Sequence, residues 1–149
     1  MVVFDDALWP LLIVRFEGET SDQEFTAYLK KMSDYLARNE KYVCLYDTAA
    51  MKSSPMSHRQ LQVEWLQAHD TPLCQWMIGT GFIINSPLMR LVMNVISTLN
   101  KPPCPYINVA TFDQALMWAA DRFRDEGLTL PSVRIRTHFN LIYKKVANR

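Results

Sequence analysis

Gln75-Trp-Met-Ile-Gly-Thr-Gly-Phe-Ile-Ile84 is apolar on both faces in its second half, and Asn85-Ser86-Pro87 follows at once. A strand buried on both faces suits the middle of a parallel sheet covered by helices. The next three residues form a helix start, with Ser86 as N-cap and Pro87 at the first helical position, where its missing N–H costs nothing. A strand running straight into a helix is the unit of α/β folds. Gly79 and Gly81 lie inside the strand, not at its turn. They read as points where a side chain or another strand comes close, and as a poor phosphate cradle.

The same alternation extends in both directions. Upstream, Leu8-Trp-Pro-Leu-Leu-Ile-Val-Arg-Phe-Glu-Gly18 is a β-branched apolar run with Pro10 near its start. Ser21 and Glu24 make a capping box that opens a helix. Phe25, Leu29, Met32 and Leu36 form its inner face, widened by Tyr28 and Tyr35, with Asn39 as a C-terminal cap. Tyr42-Val-Cys-Leu-Tyr46 is a second strand, ending at Asp47-Thr48. A second capping pair, Ser57 with Gln60, predicts a helix with Leu61, Trp65 and Ala68 inward, stopped by Asp70-Thr71-Pro72. Downstream, the helix from Pro87 runs to about Leu99. Pro105-Tyr-Ile-Asn-Val-Ala110 is a fourth strand, and Thr111 with Gln114 caps a helix carrying Phe112, Ala115, Leu116, Ala119 and Phe123 as far as Gly127. Val133-Arg-Ile-Arg136 alternates like an edge strand. The expected fold is α/β, a four-to-five-stranded mostly parallel sheet with helices packed on it, over residues 1–127, with a basic C-terminal extension over 128–149.

Composition sets the classes to exclude. The chain has 149 residues, 49% apolar and 21% charged, and a net charge of +1. That is one domain with an ordinary core and no global field to attract nucleic acid. No apolar run approaches the ~18 residues of a membrane span. Arg134, Arg136, Lys144, Lys145 and Arg149 leave the last 22 residues without a carboxylate and the rest of the chain at −4. Peripheral membrane contact through this tail is one reading, and docking on its own body or a sister subunit is the more ordinary one. Cys44, Cys74 and Cys104 lie far apart, and the three histidines match no ligand spacing, so neither a zinc site nor any other cofactor is expected. Free thiols and the acidic Asp5-Asp6 near the start predict a cytoplasmic protein. Cys44, within an apolar strand, reads as core, and His58, at a helix start, as solvated.

Chemistry in open parallel sheets gathers at the C-terminal strand edge. Asp47 and Thr48, Asn85 and Ser86, and Thr111 fall there, and Ser57, Ser86 and Thr111 head helices whose N-termini attract anions. Each is also an ordinary cap. The helix from Pro87 to Leu99 stands apart because it is apolar nearly all round. Leu88, Leu91, Val92, Val95 and Leu99 form one stripe, and Met89, Met93 and Ile96 another side. Arg90, Asn94, Ser97 and Thr98 make a narrow polar stripe. Such a helix is normally buried, yet in a domain this small one flank can face a partner or a second copy. Arg90 wants a carboxylate or phosphate, with Asp47 as a candidate.

Val14-Arg-Phe-Glu-Gly18, the Thr20–Phe25 helix start, Tyr46-Asp47, Trp65, Gly79-Thr-Gly-Phe-Ile-Ile and Ser86-Pro-Leu-Met-Arg90 occur in an order that resembles small bacterial STAS-like proteins. The anti-anti-sigma-factor-like (SpoIIAA-like) branch is the group suggested. The resemblance covers about residues 7–127 and implies a non-enzymatic regulatory domain that binds other proteins or, occasionally, small ligands. Members of that branch carry an Asp-Ser pair at a strand end whose Ser is phosphorylated by a partner kinase. The matching pair here is Asp47-Thr48, followed by Ala49-Ala50 in place of Ser-Gly-Leu. The expected function is therefore a cytoplasmic protein-interaction module. It has a possible phospho-switch or ligand site at Asp47, Thr48, Ser57, Ser86 and Arg90, and an interface at Met89, Met93 and Ile96, with self-association predicted. The alternative is a binder of apolar or anionic lipid-like small molecules, using the Trp76–Ile84 strand and Arg90. An enzyme built on Asp47, His58 and Arg59 ranks last, since catalysis needs a base within reach of its target.

Overall fold

The structure is a computed structural model, and it describes residues 1–99 and 101–141, without the side chain of Ile96. Five strands form one sheet in the order of the sequence, β1 (Val2–Asp5), β2 (Leu11–Phe16), β3 (Tyr42–Asp47), β4 (Met77–Ile83) and β5 (Tyr106–Val109). β2 to β5 are parallel, and β1 runs antiparallel to β2 at the edge. β1 was not expected. Its residues are only partly buried, so it carries neither the continuous apolar run of a central strand nor a long alternation. β2 is shorter than the apolar run that announces it, because residues 7–10 form a turn before pairing begins at Leu11.

Side-chain alternation divides the interior into two cores. Leu12, Val14, Tyr42, Cys44 and Tyr46 face one side of the sheet and pack with α1 (Asp22–Leu36) through Phe25, Tyr28, Met32 and Leu36. Trp65 of α2 (Met56–Ala68) and Leu73 of α3 (Asp70–Trp76) close that side. Leu11, Ile13, Val43 and Leu45 face the other side, against Ala115, Leu116, Ala119, Ala120 and Phe123 of α5 (Phe112–Asp125). The crossovers β2-α1-β3 and β3-α2-α3-β4 supply α1, α2 and α3 of the first layer.

Several boundaries are as the residues predict. Ser21 Oγ accepts from Glu24 N–H at 3.1 Å, Ser86 Oγ from Met89 N–H at 3.3 Å, and Thr111 with Gln114 forms the full reciprocal capping box. Others differ. α2 starts one residue before Ser57, with Pro55 as N-cap and no side-chain cap, so Ser57 with Gln60 is not a capping box. His58 and Trp65 are the buried residues of that helix, while Leu61 is exposed. Pro72 does not end the helical stretch. It sits in the first turn of α3, where proline is tolerated, and the helix runs to Trp76. Val133-Arg-Ile-Arg136 is not a strand but part of α6 (Thr129–His138). A four-residue alternation of apolar and basic groups fits either period, and α6 wins by lying against α5, where Ile135 and the following Leu141 join the second core. Arg136 pairs with Asp121 of α5. Residues 142–149 lie outside the described residues, and with them Lys144, Lys145 and Arg149.

The two glycines of β4 do what their position suggested. A Cβ on Gly79 would sit 2.9 Å from Trp118 Cη2, and one on Gly81 2.8 Å from Leu45 Cδ2. The Trp118 indole of α5 therefore packs closely against the bare backbone at Gly79. Gly79→Ala is expected to destabilise by about 1–3 kcal/mol through overpacking. Combining it with Trp118→Leu should return part of the loss, read as a rise in Tm over the single variant.

Candidate functional site

The C-terminal edge of the sheet gathers the loops after β2, β3 and β4. In the parallel register Arg15 lies beside Asp47. Its Nε is 3.8 Å from Asp47 Oδ2, and its guanidinium lies 5.3 Å from the centre of the Phe112 ring. Arg15 is thus the residue that sequence reading missed. The available signal was that it and Asp47 close neighbouring strands with opposite charges. Asp47 is already engaged, since its Oδ1 accepts from Ala49 N–H at 3.0 Å. Thr48 donates its hydroxyl to the Ile83 carbonyl at 2.8 Å and its N–H to the same oxygen at 3.1 Å. The Thr48 side chain therefore ties the end of β3 to the end of β4, and a phosphate on it would have to break that tie. Beside these residues is a cavity of about 80 Å³ lined by Arg15, Glu17, Asp47 and Ala50. That volume suits a few waters, well short of a metabolite.

The expected constellation is only partly assembled. Asn85 Nδ2 reaches the Ala49 carbonyl at 3.4 Å, so the loops after β3 and β4 do meet. Ser86 is occupied as the cap of α4 (Pro87–Leu99). Arg90 does not pair with Asp47. Its Nη1 donates to the Ile84 carbonyl at 2.6 Å, six residues before it and ahead of the helix. Ser57 is exposed on the first turn of α2. His58 is not solvated, for the ring is buried, stacked on Phe25 at 4.4 Å, and its Nε2 lies 2.8 Å from Asp22 Oδ1. It joins α2 to α1 through Asp22 and Phe25, while Asp47 is engaged by Arg15 and the Ala49 N–H. Burial pushes the Cys44 thiol up to about 12, as a core cysteine requires.

The larger anomaly is α4. Asn94 Oδ1 accepts from Asn108 Nδ2 of β5 at 2.8 Å. Asn108 pairs with Phe82 in the register, and Phe82 belongs to the first core, so α4 shares the layer of α1 and α2. Arg90 and Asn94 are held by the body, and Ser97 is buried. Arg90, Met93 and Ser97 thus line the side toward the body, with Asn94 at its exposed border and Thr98 exposed. The apolar stripe points out, with Leu88 68%, Leu91 61%, Val95 54% and Leu99 77% exposed. Met89 is also exposed and Met93 is half-buried. The side chain of Ile96 lies outside the described residues. Beside Met89 and Met93, the neighbouring stripe of leucines and valines is the more exposed.

The sheet is mostly parallel and in sequence order, with one antiparallel edge strand, one layer of α1 to α4 and an opposing layer of α5 and α6. Among solved structures, an uncharacterized protein of the DUF3478 family from Shewanella loihica PV-4, itself described as having a SpoIIAA-like fold, is similar with a TM-score of 0.63. The match covers 80% of this chain and 92% of that one at 12% sequence identity, which establishes the fold. No family model and no curated protein matches the chain.

Proposed function

We propose that this STAS-like domain is a non-enzymatic, regulatory protein-interaction module, and that the outer face of α4 is its docking surface. The observation that carries this reading is the orientation of α4, a helix that buries Ser97, ties Arg90 and Asn94 by hydrogen bonds to Ile84 and Asn108, and leaves its leucines and valines in solvent. Monomeric proteins seldom leave a contiguous apolar patch of several hundred Å² uncovered. The small-molecule reading loses its anion anchor, because Arg90 is spent on the Ile84 carbonyl. An open hollow of about 300 Å³ lies on α2 between Met56, Arg59, Gln60 and Val63.

Native mass spectrometry on protein isolated gently from its host tests the proposal. The wild-type chain is expected in complex with a polypeptide, its own or another, and Val95→Glu is expected as a single chain. An Arg59→Ala control on α2 should keep the complex. A complex that survives Val95→Glu, or a wild-type chain that carries only a small adduct, would refute the proposal.

A further inference from the structure

We infer that the polypeptide seated on α4 is a second copy of this chain, with the two α4 helices antiparallel; this rests on the interaction reading above. Leu88, Val92, Val95 and Leu99 are spaced four, three and four residues apart. That is the seam of a two-helix coiled coil, and it commits the occupant to being a helix. The seam is free of charge, since the only ionisable residue of α4, Arg90, is turned to the Ile84 carbonyl. A membrane-surface helix would carry Lys or Arg along the border of its apolar face. A selective foreign partner would be matched by flanking charges. A bare apolar seam suits an identical one. Five or six side chains with these exposures present on the order of 600 Å², so two copies would cover about 1,200 Å², the lower bound for a specific interface.

The direction follows from the helix ends. α1 carries Asp22 and Glu24 in its first turn, and α5 carries Asp113 in its first and Arg122 and Arg124 in its last. α4 has no acid in its first turn and no base in its last. Its macrodipole thus meets no compensating charge in its own terminal turns, and an antiparallel copy would set each end against the opposite end of the other. In that alignment Leu88 faces Leu99, and Val92 faces Val95 of the second copy.

Sedimentation velocity and native mass spectrometry on purified protein with Cys74→Ser, which removes the exposed thiol, test this. One-chain and two-chain species are expected to exchange over roughly micromolar concentrations, and Val95→Glu is expected to weaken the association by at least ~100-fold, because it buries an unpaired charge. In the same background, a Val92→Cys chain mixed with a Val95→Cys chain should form disulfides between unlike chains in preference to like ones. Like-chain disulfides in equal or greater yield would overturn the antiparallel pairing. A single chain at every concentration would overturn self-pairing. If host-isolated protein then still brings another polypeptide that Val95→Glu releases, only the second-copy inference falls. If the single chain instead co-sediments with phosphatidylcholine–phosphatidylglycerol vesicles, the interaction reading falls with it.

Discussion

Phe123→Ala is expected to lower the unfolding free energy by about 3–5 kcal/mol, while Leu99→Ala, a truncation on the more apolar helix α4, should change that of the single chain by no more than ~0.5 kcal/mol. Phe123 is fully enclosed by the second core, among Ala115, Leu116, Ala119 and Ala120 of its own helix and the undersides of β2 and β3. Its alanine neighbours are too small to fill the hole, and a sheet paired on both sides of β3 does not collapse into it, so the cavity term stays. Leu99 is more than three-quarters exposed, so its truncation removes few contacts and leaves no void. Typical domains hold about 5–15 kcal/mol in reserve, which makes the first change a large fraction of the whole. Urea denaturation at a concentration where the wild type is a single chain separates the two. A cost at Leu99 near that at Phe123 would mean that α4 is packed against its own body and that its outer face is no docking surface.

The second large effect is a loss of stability in alkali. Burial pushes the Cys44 thiol up to about 12 and the phenols of Tyr28, Tyr42 and Tyr46 well above their ordinary range. The Tyr42 hydroxyl is buried without a partner that would share the charge of its anion. In the unfolded chain the thiol ionises near pH 8.5 and the phenols near 10. Above those values the unfolded state sheds protons that the folded state keeps, so stability must fall as pH rises. Each group contributes a slope of about 1.4 kcal/mol per pH unit between its unfolded and folded pKa. The stability from these groups is complete below about pH 8, and about 3–5 kcal/mol of it is expected to be gone by pH 10.5. Denaturation midpoints at the two pH values measure this, and Cys44→Ala should flatten the first part of the decline. Midpoints that do not move would show the first core to be open to solvent.

Both experiments address the division between what the chain spells locally and what it leaves open. The strand–helix alternation was legible because its signals are local, as with Ser86-Pro87, the Thr111–Gln114 capping box and the period of Phe25, Met32 and Leu36. Those groups satisfy orphan amides or pack within a turn or two of themselves. The α2 start was misread because Ser57 and Gln60 have the right spacing, but Pro55 supplies the extended φ and ψ that the cap position needs. β1 was missed because an edge strand half in water has no strong pattern. His58 looked like a surface group because nothing near it in sequence announces Asp22 and Phe25, 36 and 33 residues before it, which supply its hydrogen bond and its stacking partner.

The candidate site divides in the same way. Asp47 and Thr48 at a strand end, and Ser86 as a cap, can be read from the residues. That Asp47 is held by Arg15 depends on a register between strands 32 residues apart, and that Arg90 turns to the Ile84 carbonyl depends on the loop it follows. α4 marks the boundary most sharply. Its sequence determines a helix, its length and its two stripes, because caps and periodicity are properties of thirteen consecutive residues. A helix apolar nearly all round has no preferred inward face of its own. Only the tertiary structure chose one, because Asn108 on β5 and the free carbonyl of Ile84 gave Asn94 and Arg90 hydrogen bonds within the fold. With those polar groups satisfied against the body, the leucines and valines opposite them had no direction left but outward.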